Sequence, residues 1–260
     1  MDHDALRTTP ALRLTPAGRP GQPWWRTRPQ PSTEALALGA SLFFALVCNK
    51  PFLASALAGR DPSAASTWAY AGALLALLTS VHLLVLSLVL TRHIARPLLA
   101  LLFIATGFAT YFMQHYGVVL DPTMLRNVMR TNPAEAGELL GPALALHLLL
   151  VTGPPLLVLW RVQLPPRTLR RAALVRLLTL GTALAVTLVV LLAVYQDMSA
   201  LMRNQKSLRY LITPANLVYS SGRVLAADAR GAALPRLAVG TDAKLGPAWA
   251  ARKKPALLVF

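Results

Sequence analysis

Acidic residues are scarce in this chain, and none lies in the middle of a long apolar run. The 260 residues include 10 Asp or Glu against 26 Lys or Arg, and 14% are charged while 55% are hydrophobic. So few charges cannot cover the surface of a soluble globule of this size. The missing carboxylates also argue against a proton-coupled transporter, because such proteins relay protons through buried acids. The lipid bilayer is therefore the expected solvent.

Cysteine is nearly absent as well. The single Cys48 cannot form an intramolecular disulfide, and its place inside an apolar run predicts a small packing residue rather than a reactive thiol. A cleavable signal peptide is also not expected. The first apolar run begins near residue 35, after an arm rich in Pro and Arg, and is too long for the apolar part of a signal.

Five long apolar runs dominate the rest of the chain, at roughly 35 to 58, 69 to 90, 97 to 113, 141 to 160 and 174 to 195. A helix of ~20 apolar residues crosses the ~30 Å hydrocarbon core, and the runs lack the alternation of a membrane β-barrel. We expect an all-α membrane protein with five transmembrane helices and short amphipathic helices on one side. The predicted division is a disordered basic arm (1–33), the membrane domain (34–221), a linker (222–254) and the first strand of an α/β domain (255–260).

Arginine is distributed unevenly among the segments that connect the runs. Eleven arginines precede the first run or lie in connections on the same side of the membrane, against three in the other short connections. This asymmetry predicts a cytoplasmic N-terminus and an external C-terminal part. Orientation and anionic lipid surfaces account for the basic excess, and nucleic acid is not an expected partner. The eleven are Arg7, Arg13, Arg19, Arg26, Arg28, Arg92, Arg96, Arg161, Arg167, Arg170 and Arg171; the three are Arg60, Arg126 and Arg130.

The connection between the third and fourth runs, residues 116–140, concentrates polar residues on the predicted outer side. Asp121 before Pro122 predicts a helix N-cap with proline in the first turn, and so a short helix from 122 to about 131. Asn127, Thr131 and Glu135 are spaced four apart. On one continuous helix they would align an amide, a hydroxyl and a carboxylate along one face, where they could hold a lipid head group.

Pro133 favours a different local structure for the same connection. A proline disfavours helical geometry at the residue before it, so Asn132 would cap a second helix that begins at Pro133. Glu135 then occupies the position whose acid can bond back to the cap residue. Capping and head-group contact both stay open for Glu135, and the two roles are compatible.

Three polar side chains interrupt apolar runs, and each allows two interpretations. Lys50, beside Pro51, either extends to the outer lipid head groups or faces a polar cavity. His82 and His147 are expected to be packed, hydrogen-bonded histidines rather than metal ligands, because no carboxylate neighbours them in the sequence.

Apolar residues at helical spacing follow the fifth run and predict a helix lying in the membrane interface. Thr213 and Pro214 should end this helix, and a second short amphipathic helix should then continue to Ser221. The apolar positions are Met198, Leu201, Met202, Leu208, Leu211 and Ile212.

Two segments carry a resemblance to a known family: YGVVLDPTMLRNVMRTNPAEAGELL and YQDMSALMRNQKSLRYLITPANLVYSSG. Together with the order of the five runs, they resemble the N-terminal membrane domain of the bacterial phosphoethanolamine transferases that modify lipid A, the colistin-resistance enzymes among them. The resemblance covers roughly residues 35 to 221. It implies a place in the bacterial inner membrane, with the C-terminal part in the periplasm. It also implies phosphatidylethanolamine and lipid A as partners; it does not indicate an oligomeric state.

The resemblance further implies a periplasmic sulfatase-like domain of the alkaline phosphatase superfamily. In that family a first strand leads to a Gly-Glu-Thr motif, whose glutamate helps to bind zinc and whose threonine is the nucleophile. Residues 255–260 are similar to the start of this strand, and the motif does not follow. The chain thus has no assigned catalytic residue or zinc ligand, and we expect it to be inactive alone.

The pattern NVxxTxxxE in the same family contacts the donor lipid, and it matches Asn127, Thr131 and Glu135. The resemblance thus implies that Glu135 pairs with the ammonium group while Asn127 and Thr131 donate hydrogen bonds to phosphate oxygens. Arg126 and Arg130 are expected to face lipid phosphates.

A non-enzymatic function stays open beside the transferase. The chain could be a complete inner-membrane protein that binds phospholipid head groups or a partner transferase. The gene sequence after the codon for Phe260 separates these hypotheses. A continuation with Gly-Glu-Thr favours the transferase, and its absence, with stable expression of the short chain, favours the second hypothesis.

Overall fold

The computed structural model describes residues 29–232, and within that range every regular element is a helix. The predicted all-α membrane fold is therefore confirmed for this part of the chain. Residues 1–28 of the predicted arm (1–33), residues 233–254 of the predicted linker (222–254) and the predicted strand at 255–260 lie outside the described residues. The elements are α1 (Thr33–Phe43), a π-helical segment (Phe44–Cys48), α2 (Lys50–Leu57), α3 (Ala65–Val89), α4 (Ala95–His115), α5 (Pro122–Arg130), α6 (Pro133–Leu139), α7 (Pro142–Val151), α8 (Gly153–Arg161), α9 (Leu169–Ala193), α10 (Tyr195–Asn204), a 3₁₀ helix (Lys206–Leu211) and α11 (Ala215–Ala232).

Three of the described helices, α3, α4 and α9, are each long and apolar enough to cross a membrane. The number reaches the predicted five if two bent pairs are each counted as one span: α1 with α2, bent by 56°, and α6 with α7, bent by 67°. The fourth predicted run is divided at Thr152, ahead of Pro154 and Pro155, because proline has no N–H to donate within a helix.

Helix α3 lies at the centre of the bundle, packed against α9 and α1, while α4 packs against α7 and α8. Phe44, Leu74 and Leu99 are completely buried in these contacts. In contrast, α9 leaves most of its apolar surface open, with Leu192 75% exposed. Such a surface suits a helix that faces lipid tails.

The segment after α9 differs from the prediction of one interfacial helix. Gln205 leaves helical geometry (φ −125°, ψ 80°) and separates α10 from the 3₁₀ helix, so the single helix was wrong. The apolar stripe also packs inward against Phe52 and Leu78 rather than lying on lipid. The second helix, α11, was expected to end at Ser221 and instead continues to Ala232, because the sequence there is rich in the strong helix formers Ala and Arg.

The spans alternate in direction and so define two ends of the bundle. The N-terminal end contains the start of α1, the α3–α4 connection (90–94) and the α8–α9 connection (162–168). The elbow end contains the α2–α3 connection, the pair α5 and α6, which we call the elbow, and helices α10 and α11.

Candidate functional site

The elbow begins with the capped helix that the sequence predicts. Oδ1 of Asp121 accepts a hydrogen bond from the Met124 N–H at 2.7 Å, and Pro122 occupies the first turn of α5. The helix ends at Arg130 because Thr131 turns to an extended conformation (ψ 132°). The predicted helix from 122 to about 131 is confirmed.

The second helix of the elbow begins at Pro133, so the connection forms two helices, which is the second of the two local structures that the sequence left open. Asn132 caps α6 with its Oδ1, which accepts a hydrogen bond from the Glu135 N–H at 2.9 Å. The Glu135 side chain is exposed, and within residues 29–232 its carboxylate has no hydrogen-bond or ion-pair partner. Glu135 thus contributes its backbone to the cap and leaves its carboxylate available.

The three predicted head-group residues fall on consecutive parts of the elbow. Asn127 lies on α5, Thr131 at the junction and Glu135 on α6. The Thr131 hydroxyl donates to the Asn127 carbonyl oxygen at 2.9 Å. In this conformation Thr131 therefore offers acceptor lone pairs to a ligand, whereas donation to a phosphate requires its side chain to rotate.

An apolar cavity of about 350 Å³ lies beside the elbow, between α4, α5, α6 and α11. Asn127 and Thr131 are part of its lining, opposite Phe108 and Phe112 of α4, while Glu135 is outside the lining. A few polar groups at the edge of an apolar cavity are the usual arrangement of a site for an amphipathic ligand. Leu217 of α11 completes the wall, which the sequence did not indicate.

On another face of α4, an open cleft of about 630 Å³ with both polar and apolar lining contains Lys50. Gln114, Gln205 and Ser207 also line this cleft. Lys50 is exposed in this cleft, so extension to the outer head groups and a place in a cavity both stay predictions.

Arg126 forms a weak ion pair within the protein, and its predicted contact with lipid phosphates stays a prediction. Its guanidinium lies 3.5 Å from the Asp228 carboxylate on α11, with about a third of the arginine side chain exposed (34%). This weak ion pair joins α11 to the elbow and thereby helps to close the cavity wall.

A buried polar network, which sequence reasoning missed, fixes the chain that leads to α11. The Asn49 amide donates to the Thr213 carbonyl oxygen at 2.7 Å and accepts from the Thr213 N–H at 2.9 Å. Both residues are fully buried. The only signal in the sequence was an amide inside an apolar run, two residues before a proline.

Both histidines of the apolar runs are hydrogen-bonded to neighbouring helices or turns. Nε2 of His82 lies 3.1 Å from the Thr213 carbonyl oxygen, and Nε2 of His147 lies 3.1 Å from the Thr110 hydroxyl. Within residues 29–232, no three His, Cys, Asp or Glu side chains come together in a metal-binding group.

Comparison with known proteins identifies the family that this chain matches. Residues 78–229 match the sequence profile described as "Phosphoethanolamine transferase EptA/EptB". The chain is 34% identical to the phosphoethanolamine transferase EptA of Salmonella typhimurium over 58% of its own length and 28% of that protein. It is 30% identical to EptA of Escherichia coli K12 over 70% of its length and 33% of that protein. It is 26% identical to the phosphatidylethanolamine transferase Mcr-2 of Escherichia coli over 85% of its length and 41% of that protein.

The fold has a solved counterpart. The lipooligosaccharide phosphoethanolamine transferase A (EptA) of Neisseria meningitidis superposes with a TM-score of 0.73 at 23% sequence identity, over 80% of this chain and 38% of that one. The chain thus spans between 28% and 41% of the length of these proteins. It belongs to the EptA/EptB phosphoethanolamine transferase family and matches that family's N-terminal membrane domain.

Proposed function

We propose that the membrane domain docks the donor lipid of a phosphoethanolamine transferase, with the head group of phosphatidylethanolamine held by Asn127, Thr131 and Glu135. One observation carries this proposal. An amide and a hydroxyl lie at the edge of an apolar cavity, and a carboxylate without a partner among the described residues follows on the next helix of the elbow.

The chemistry of the donor fits these groups one by one. The Glu135 carboxylate pairs with the lipid ammonium, and the Asn127 amide donates a hydrogen bond to a phosphate oxygen. The Thr131 hydroxyl, whose hydrogen is already donated to Asn127, accepts from the ammonium. An acyl chain packs in the cavity against Phe108 and Phe112.

For the whole transferase we propose that phosphoethanolamine moves from phosphatidylethanolamine to a phosphate of lipid A. The relatives that are named phosphatidylethanolamine transferases support the donor. The arginine distribution supports an inner-membrane protein with its N-terminus in the cytoplasm and its elbow in the periplasm. The nucleophile and the zinc implied for the family are not assigned to residues 29–232, whose side chains do not form a metal-binding group. The role proposed for these residues is donor binding.

Titration of the detergent-solubilised chain with dihexanoyl phosphatidylethanolamine tests the docking site. We expect Glu135→Gln to weaken the apparent Kd about tenfold, since a charge-assisted hydrogen bond contributes about 1.5 kcal/mol or more. Glu138→Gln is the matched control, because Glu138 is an exposed glutamate on the same short helix. It should leave the Kd unchanged.

A second ligand makes the test specific for the ammonium group. Dihexanoyl phosphatidylglycerol lacks that group, so it should bind the elbow more weakly than phosphatidylethanolamine and should be insensitive to Glu135→Gln. Equal affinities of the wild-type and Glu135→Gln chains for phosphatidylethanolamine would reject the site, as would an equal loss in Glu138→Gln.

A further inference from the structure

The opposite end of the bundle carries a basic cavity that the donor site does not use. It has a volume of about 530 Å³ and opens at the N-terminal end, between the α3–α4 and α8–α9 connections. Its lining contains two arginines, a histidine and two glutamines, and no acidic residue. The lining residues are Gln30, Arg92, His93, Arg96, Gln163, Leu164, Pro165 and Pro166.

The charge around this cavity is strongly unbalanced. Among the described residues, seven arginines lie at the N-terminal end or within the first turns of α9, against one carboxylate, Glu34. Glu34 is already paired with Arg167 at 3.3 Å. Arg92 and His93 therefore face the cavity without an acidic partner in residues 29–232, and the field of the arginines at this end attracts anions. The arginines are Arg92, Arg96, Arg161, Arg167, Arg170, Arg171 and Arg176.

Two hydrogen bonds to backbone carbonyl oxygens connect the walls of the cavity. The Arg96 guanidinium donates to the Val162 carbonyl oxygen, which ties the start of α4 to the α8–α9 connection. The Gln163 N–H donates to the Pro29 carbonyl oxygen at 3.0 Å and ties the same connection to the segment before α1. Three separate parts of the chain are thus held around one basic opening.

An apolar groove continues from this opening along the bundle. It has a volume of about 680 Å³ and is lined by residues of α1, α4, α7 and α8, including Gly39, Phe43 and Phe103. Its lining begins with Pro29 and Val162, which are adjacent in the chain to Gln30 and Gln163 of the basic cavity. A basic cavity that leads into an apolar groove matches a phosphate head joined to an acyl chain.

We infer that the basic cavity and the apolar groove together bind one anionic phospholipid from the leaflet that the N-terminal end faces. The phosphate lies among Arg92, His93 and Arg96, with the two glutamine amides as neutral donors. The acyl chain lies in the groove beside Gly39. Basic pockets between transmembrane helices are known to select anionic head groups.

Titration of the full 260-residue chain in neutral detergent with dihexanoyl phosphatidylglycerol tests the head-group part of this site. We expect Arg92→Gln to weaken the apparent Kd about fivefold, the loss typical of one basic residue at an anionic lipid surface. Arg170→Gln is the matched control, because it removes the same charge from an exposed position at the same end outside the cavity. It should leave the Kd within about twofold.

A second pair of variants tests the acyl-chain part. Gly39→Leu places a side chain in the groove, and Gly72→Leu places the same side chain at an exposed position of α3; neither new Cβ meets an atom within 4 Å. Gly39→Leu should weaken phosphatidylglycerol binding about tenfold or more, whereas Gly72→Leu should not.

Three results would overturn the inference. Inorganic phosphate binding as tightly as phosphatidylglycerol would identify a site for soluble anions. Equal losses in Arg92→Gln and Arg170→Gln would show diffuse surface attraction rather than a defined site. Unchanged phosphatidylglycerol affinity in Gly39→Leu would show that the acyl chain does not bind in the groove.

Discussion

The elbow end contains six of the described carboxylates together with basic side chains. At the N-terminal end, Glu34 is the only described carboxylate beside seven arginines. Four of the six have structural partners: two pair with arginines, one caps α5 and Asp61 accepts hydrogen bonds from Ser63. At the N-terminal end, Arg96 and Arg176 instead donate to the backbone carbonyls of Val162 and Leu90. The six carboxylates are Asp61, Asp121, Glu135, Glu138, Asp197 and Asp228.

This difference indicates what each end is suited to bind. Mixed charges with a carboxylate left available suit a zwitterion, whose ammonium and phosphate need opposite partners. Unbalanced positive charge suits an anion and repels a zwitterion's ammonium group. The two ends thus fit different phospholipids. The positive-inside rule accounts for the arginine excess at the N-terminal end and does not account for the mixed charges at the elbow end.

The two ends also differ in what holds them together. The segment that carries α11 at the elbow end depends on buried amide and carbonyl groups, with Asn49 bound to Thr213. The N-terminal end depends on an apolar cluster in which Leu90, Leu99 and Leu159 are buried. Loss of one polar group should therefore affect the elbow end far more than the other.

Asn49→Ala should have the largest effect and should be confined to the elbow end. It removes three side-chain hydrogen bonds, two to Thr213 and one to the Phe44 carbonyl oxygen, and leaves the buried Thr213 N–H unsatisfied, which costs about 3 kcal/mol in the free energy of unfolding. Denaturation in mixed detergent should report this loss. Binding of dihexanoyl phosphatidylethanolamine should fall with it, while Arg92-dependent binding of phosphatidylglycerol persists.

The control for this prediction is Asn204→Ala, at an exposed position near the end of α10. Its free energy of unfolding should stay within about 0.5 kcal/mol of wild type. If Asn49→Ala abolished binding at both ends equally, the two ends would be one cooperative unit and the comparison would fail.

Gly107→Ala should have an intermediate effect and should reach both ends, because α4 connects them. A Cβ at Gly107 would lie 2.1 Å from Oγ1 of Thr152, at the break between α7 and α8. Such overpacking costs about 2 kcal/mol. We expect a lower free energy of unfolding together with weaker binding of both phospholipids.

Gly181→Ala is the matched control for the helix itself. No atom lies within 4 Å of a Cβ at Gly181 on the exposed α9, so the added methyl should be neutral or slightly stabilising through helix propensity. Loss of binding at one end only in Gly107→Ala would show that α4 does not transmit the strain along its length.

Local signals made the elbow predictable from sequence. An aspartate before a proline and an asparagine before a proline mark helix starts with a physical cause, and both caps form as expected. The same signals could not decide between one helix and two until Thr131 was seen to be extended. The three head-group residues came from a resemblance, and their role in this chain stays a prediction.

Long-range features were beyond sequence reasoning because no local pattern contains them. Asn49 and Thr213 are 164 positions apart in the chain. The break at Gln205 has neither glycine nor proline at the breaking residue, so packing of the flanking apolar residues against α2 and α3 outweighs propensity there. The cavity beside Asn127 needs a wall from α11, whose helical extent was underestimated.

Asp197→Asn should have the smallest effect and tests how far ion pairs contribute to the elbow end. Asp197 lies 3.0 Å from Arg60, but the two side chains are 55% and 32% exposed, so the pair should contribute only about 0.5 kcal/mol. Arg60 also keeps its position over the Tyr70 ring, 3.9 Å from the centroid, when the carboxylate is lost. Unfolding in 0.1 M and in 1 M salt should show the difference between wild type and variant shrinking as salt rises. A loss above about 1.5 kcal/mol that is insensitive to salt would mean that this pair is shielded from water, and that the elbow end is held by its charges as much as by its buried amides.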